Sequence, residues 1–325
     1  MSQETRLEHR TSRRTALRRW LVAAALLAFG SVASAQDGDR EIADCRYGVP
    51  PKEEGEGWAR VVLPGDDLFR PPLADVKEPR FSAAYQRLRF RSRGLPAERD
   101  DETIHAGIAG FGVNFGVFGL RRADACDGAQ LNLFGAVLSQ FNLDAPSSDL
   151  INSDFLVGFP LSLRRGPASL RMRLYHQSSH LGDEFLLNNP EVDRVNLSFE
   201  AFDALFSVEH GWFRLYGGGG AILRSEPDLE RGLVQGGVEL RAQEWSWRIV
   251  RNLRAFPLAG GDWKSFAEHD WNVTSSAQAG FELANLGSRH RIRILGVYLS
   301  GFLPFGQFFN TEKIESFGIV AHFEL

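Results

Sequence analysis

From Phe81 onward, apolar side chains recur at every second position in runs of roughly 10 to 15 residues. In QLNLFGAVLSQF, Leu131, Leu133, Gly135, Val137 and Phe141 share one face, and Gln130, Asn132 and Gln140 share the other. VQGGVELRA repeats the pattern, with Val234, Gly236, Val238 and Leu240 against Gln235, Glu239 and Arg241. So does WSWRIVRNLR, with Trp245, Trp247, Ile249 and Leu253 against Ser246, Arg248, Asn252 and Arg254. A period of two belongs to an extended strand with one apolar and one polar face. About twelve such segments begin near Phe81, Thr103, Ala129, Ser153, Ala168, Arg194, Trp212, Gly232, Trp245, Trp271, Arg289 and Ser316.

The connections alternate in length. RRGP, EHG and AQE are short, whereas LPAERDD, DAPSSDLINSD, GDEFLLNNPEVD and FPLAGGDWKSFAEHD are long. Short turns at one end and long loops at the other predict an all-β, antiparallel transmembrane barrel of the outer-membrane kind over residues 80–325. Trp245, Trp247 and Trp271 lie near segment ends, as interfacial residues do. Phe317, Ile319, Ala321, Phe323 and Leu325 share one face of a terminal strand that resembles the C-terminal recognition strand of bacterial outer-membrane proteins, with Leu325 where Phe or Trp is usual. That resemblance implies the barrel assembly machinery as a partner. On the polar faces, Arg171, Arg173, Glu200, Glu239, Arg241, Arg248, Arg254, Arg291 and Arg293 are expected in the lumen. Charges of both signs can pair there, which favours a filled barrel over an open pore.

Composition adds little until the N-terminus is considered. The 325 residues carry a net charge of -4, which leaves no footprint of nucleic-acid binding. Arg10, Arg13, Arg14, Arg18 and Arg19 precede the apolar run LVAAALLAFG and the triplet Ala33-Ser34-Ala35, the form that signal peptidase cleaves. Residues 1–35 therefore read as a Sec-type signal peptide cleaved near Ala35, and residues 36–79, rich in Pro, Gly, Asp and Glu, as an irregular periplasmic segment. Export makes Cys45 and Cys126 a candidate disulfide.

The candidate chemistry is in YHQSSHLGDE. Leu170, Met172, Leu174, His176 and Ser178 occupy one face of a strand, and its apolar part must meet lipid, so His176 and Ser178 are expected outside, near the outer rim. In the following DRVNLSFEA, Val195, Leu197, Phe199 and Ala201 share parity with Asp193, which would place that carboxylate outside as well, with a bulge near Phe202 and Asp203. Serine, histidine and carboxylate on one face form the set for nucleophilic acyl transfer, with Ser178 attacking, His176 as base and Asp193 orienting it. Glu184 or Glu191 could supply the carboxylate instead, and a backbone N–H near Ser179 or a cation-bound water the oxyanion donor. Asp183 and Glu184 offer hard oxygen ligands for calcium. A metal set including His176 and His180 is disfavoured, because that spacing aligns on a helix and not on a strand.

His176-Gln177-Ser178, followed by Asp193-Arg194, resembles the His-x-Ser and later Asn-Arg of outer-membrane phospholipase A barrels, and the His-x-Ser of lipid A deacylase barrels, where a glutamate completes the triad. In this chain Asp193 replaces the asparagine, and Ser179-His180 stand where the phospholipases have Asn-Gly. The resemblance implies hydrolysis of acyl esters of phospholipid or lipid A at the outer leaflet, membrane lipids as partners, and a homodimer as an open possibility. LFRPPLADVKEPRFSAAYQ together with HQSSHLGDE resembles the bacterial family called domain of unknown function 1207, which implies no activity. The alternative is a non-enzymatic structural, interaction or channel barrel with an incidental polar rim.

Overall fold

The computed structural model describes residues 44–47, 49, 57–91, 102–122, 125–190, 192–309 and 311–324. The expected signal peptide lies outside these residues. The strands are β1 (Trp58–Val62), β2 (Phe81–Phe90), β3 (Thr103–Arg122), β4 (Gly128–Asn142), β5 (Leu150–Arg165), β6 (Ala168–Leu181), β7 (Leu197–His210), β8 (Phe213–Glu226), β9 (Gly232–Arg241), β10 (Trp247–Val250), β11 (Leu253–Phe266), β12 (Val273–Asn285), β13 (Arg291–Phe302) and β14 (Lys313–Glu324), with one short helix, α1 (Asp183–Asn188). All pairings are antiparallel. Successive strands from β2 to β14 are neighbours, except that β9 pairs directly with β11, and β14 returns to β2. With β1 and β10 set aside as partial additions to the wall, twelve strands close the ring and leave no sheet edge.

One strand departs from the sequence expectation. The segment from Trp245 yields only the four-residue β10, which pairs with the start of β11, and the barrel strand is β11 itself, containing most of the stretch read as a long loop. Pro257 and the pair Gly260-Gly261 looked like loop punctuation. Pairing between β9 and β11 starts only at Leu258, so the N–H that Pro257 lacks falls where β9 has ended.

The two faces of the wall differ sharply in character. Phe111, Phe115, Phe159, Leu174, Phe202, Phe206, Ile294 and Ile319 stand exposed on the outside, forming the apolar belt that lipid requires. Exposed Trp212, Trp245 and Trp247 lie toward the short-turn end, and Trp263 and Trp271 toward the opposite end. Inside, Glu282 accepts from Arg241, Arg291 and Arg293 at 2.6, 3.1 and 2.7 Å, and Arg173 pairs with Asp203 at 2.6 Å. Two residues expected in the lumen are elsewhere: Arg248 is exposed on β10, and Glu200 points outward from β7.

The segment expected in the periplasm instead enters the barrel. Leu68, Phe69, Leu73 and Ala74 are buried among lumen side chains. Arg214 donates to the Arg70 carbonyl at 2.6 Å, the Leu73 N–H donates to Glu239 at 2.7 Å, Lys264 and Gln235 each hold Asp75 at 3.0 Å, and Arg171 holds Glu78 at 2.5 Å. The physical reason is mutual need. An irregular backbone without a ladder must find other hydrogen-bond partners, and the cations lining the lumen need anions and carbonyls. The Phe69 ring lies between Arg171 and Arg214, 4.8 and 5.0 Å from their guanidinium carbons. Near the barrel's N-terminal mouth, Cys45 is bonded to Cys126 with Cα atoms 5.2 Å apart, and Tyr47 accepts from Arg293 at 2.5 Å.

At the opposite mouth, Leu303, Phe305, Phe308 and Phe309 fold inward as a cap with His269, which stacks on Phe302 at 3.9 Å between ring centroids. Between this cap and the inserted segment is a cavity of about 90 Å³ lined by Asp75, Lys77, Tyr175, Lys264 and His269. Burial pushes the His269 imidazole down from 6.5 to about 4. The unfolded loop therefore takes up a proton that the packed cap refuses, so the stabilisation is full above pH 6.5 and is lost as pH falls through about 4. Protection factors in residues 266–274, that is, exchange corrected for its intrinsic pH dependence, are expected to fall between pH 7 and about 4, and His269→Phe to remove that dependence.

Candidate active site

Along β6, buried Arg171, Arg173, Gln177 and Ser179 alternate with the outward Leu174, His176, Ser178 and His180. Ser179 is therefore a lumen residue, and its Oγ donates to Asp154 Oδ1 at 2.6 Å. His180 packs edge-on against Phe155 on the outer face. His176 and Ser178, two residues apart on that face, have Cα atoms roughly 7 Å apart. Both are partly exposed, and no hydrogen bond engages Ser178 Oγ among the described residues.

Strand register sets the neighbours. Val157, His176, Glu200 and Arg224 form one row across β5, β6, β7 and β8. Phe155, Ser178, Ser198 and Glu226 form the next row toward the rim. Directly opposed side chains in antiparallel strands point to the same side, with Cβ atoms about 4.5–5.5 Å apart. Glu200 Oε1 lies 3.0 Å from His176 Nδ1, and both side chains are somewhat under half exposed, at 44% and 41%. A carboxylate on Nδ1 sets the tautomer in which that nitrogen carries the proton and Nε2 is the acceptor. The arrangement can take a proton from a hydroxyl.

Asp193 is not that carboxylate. It lies in the coil between α1 and β7, exposed, seven residues before Glu200, and Gln307 donates to its backbone carbonyl at 2.8 Å. The parity reading failed because Leu197, Phe199 and Ala201 are buried inside, packed with Ile222, Leu229 and Phe309 under the cap, and are not presented to lipid. No bulge interrupts β7 at Phe202 and Asp203; Asp203 simply continues the inward face. The informative signal is lower on the strand, where Phe202, Ala204, Phe206 and Val208 share parity with Glu200. At the bilayer midplane the lipid face must be apolar, so these four residues identify the outside. Near the rim the rule lapses.

Asp183 and Glu184 open α1 as exposed side chains, and Glu184 accepts from Ser147 at 3.2 Å. Among the described residues no three His, Cys, Asp or Glu side chains are grouped to hold a metal. Glu191 lies outside the described residues.

The closed twelve-stranded antiparallel ring resembles solved bacterial outer-membrane barrels. The outer membrane phospholipase A from Escherichia coli is similar over 77% of this chain and 92% of its own, at 11% identity and a TM-score of 0.48. The Salmonella typhi outer membrane phospholipase, solved as a dimer with bound calcium, matches over 76% and 91%, at 11% identity and 0.47. The β domain of the Bordetella autotransporter BrkA matches over 76% and 99%, at 12% identity and 0.36. No curated protein matches the chain. A family model described as protein of unknown function (DUF1207) matches residues 36–325, all of the chain beyond the expected signal, and the chain belongs to that family.

Proposed function

We propose that this barrel hydrolyses acyl esters of membrane lipids, phospholipid or lipid A, at the outer leaflet. The observation that carries the reading is the contact between His176 Nδ1 and Glu200 Oε1 on the lipid-facing wall, with Ser178 two residues along the same face. His176 Nε2 takes the Ser178 proton as Oγ attacks the ester carbonyl, and Glu200 stabilises the imidazolium that forms. His176 then gives the proton to the leaving alcohol, and a water, activated in the same way, releases the fatty acid.

The oxyanion needs a donor. Ser178 lies between two paired strands, so the backbone N–H groups on either side of it, including that of Ser179, are committed to the ladder. The hydroxyl of Ser198, directly across from Ser178, is the donor we assign. Exposed Phe155 and Val157 flank the site on β5, exposed Leu174 and Phe202 lie below it, and together they provide an apolar surface for the acyl chain. A transport role is less well supported, because the segment from Leu68 to Glu78 occupies the lumen.

Covalent capture tests the reading. A long-chain alkyl fluorophosphonate is expected to label the refolded barrel at Ser178, as read by peptide mass spectrometry, and labelling at other serines alone would defeat the assignment. Glu200→Gln is expected to lower kcat by about 100-fold or more, because it removes the charge that stabilises the imidazolium. Asp193→Asn, outside the row, is expected to leave kcat within about twofold; the reverse ranking would restore Asp193 as the orienting group.

A further inference from the structure

Arg224 completes the row that begins at Val157 and His176. It is the register partner of Glu200, and the pairing shifts by one residue just after it, leaving Leu223 as the extra residue and both side chains exposed on the outer wall. Opposite charges facing each other across a ladder would be expected to pair. Here Glu200 is committed to His176, and Arg224 has no hydrogen-bond or ion-pair partner among the described residues. A guanidinium thus stands at outer-leaflet height, two strands from His176 and therefore roughly 10 Å away at about 4.8 Å per strand, with exposed Phe202 beneath. The planar fork of arginine matches a phosphate group bidentately, and the lipid that reaches this face brings its headgroup to this depth.

We infer that Arg224 is the subsite for the phosphate of a phosphorylated lipid, positioned so that an ester of the same molecule meets Ser178; the inference rests on the esterase reading above. The preferred substrate class is then a lipid carrying phosphate within about one headgroup of its acyl ester, and neutral glycerides, which lack that contact, are hydrolysed more slowly. Glu226, exposed two residues farther out, faces the water side of such a headgroup. Both glycerophospholipid and lipid A present phosphate in this way, and the test separates them.

The experiment uses the refolded full-length barrel in mixed micelles and compares wild type, Arg224→Gln, Arg224→Lys and Arg165→Gln. Arg165 is an exposed arginine at the short-turn end of β5 and removes the same charge far from the site. Substrates are phosphatidylglycerol, lipid A and diacylglycerol. Arg224→Gln is expected to raise KM for the preferred phosphorylated lipid by about 10- to 100-fold, the loss of one charge-assisted bidentate contact, with kcat and diacylglycerol hydrolysis unchanged. Arg224→Lys recovers part of the loss, Arg165→Gln shows none, and whichever of the two phosphorylated lipids responds identifies the source. An unchanged KM, or an equal loss on diacylglycerol, overturns the subsite. Native mass spectrometry of lipid retained by Ser178→Ala, with and without Arg224→Gln, gives an arm independent of turnover. If wild type hydrolyses none of the three lipids, the esterase reading fails and this arm alone decides: retention indifferent to Arg224 or to phosphate overturns the inference.

Discussion

Ser178→Ala is expected to reduce fatty-acid release from phospholipid or lipid A by at least about 1,000-fold while the barrel keeps its heat-modifiable migration on gels. The expected separation of activity from folding follows from position. Ser178 faces outward, its Oγ makes no hydrogen bond among the described residues, and its backbone pairs with Phe155 on one side and Ser198 on the other. Alanine therefore breaks no ladder bond and leaves no buried partner unsatisfied. Release should be measured from both lipids, with and without calcium. Equal release by wild type and mutant would remove Ser178 from the mechanism. Folded wild type inactive on both lipids would make the row a polar rim.

Glu282→Ala is expected to be the most damaging single change to stability, at about 3–5 kcal/mol, because it leaves like charges buried together without their anion. The Glu282 side chain is fully buried and ion-pairs with Arg241, Arg291 and Arg293. Two of these guanidinium carbons, those of Arg241 and Arg291, also lie 4.0 Å from the centre of the Tyr47 ring. Losing the carboxylate should loosen both the wall and the contact that holds the N-terminal segment. Urea unfolding in detergent would register the change as a lower midpoint, and limited proteolysis would find new cuts between Trp58 and Arg80. An unchanged midpoint would mean that water or Glu324 takes over the neutralisation.

What the alternation of residues revealed, and where it stopped, follows from how lipid selects side chains. Phe111, Phe159 and Phe206 must be apolar because they face the hydrocarbon, so strands and faces can be read wherever the chain crosses the middle of the bilayer. His176 and Ser178 share a face with Leu170, Met172 and Leu174, so the alternation carries that face up to the rim on β6. The outward direction of Glu200 is masked at the top of β7, where the apolar Leu197 and Phe199 serve the cap and not the lipid. The lumen segment could not be read at all. Asp75 and Glu78 look like solvated loop acids until the cations on β6 and β11 that surround them are brought together by the barrel. Such complementarity has no local sequence signature.

The inserted segment has one further consequence. Near its deepest point Lys77 ion-pairs with Asp154, and Asp154 accepts the hydroxyl of Ser179, the residue next to Ser178. Strand β6 is thus braced from behind, beside Ser178, by a segment whose N-terminal part is fastened at Cys45 and Tyr47, near the N-terminal mouth. Because Ser179 points inward and Ser178 outward from the same strand, a substitution at Lys77 or Asp154 alters β6 from the lumen side, one residue from Ser178.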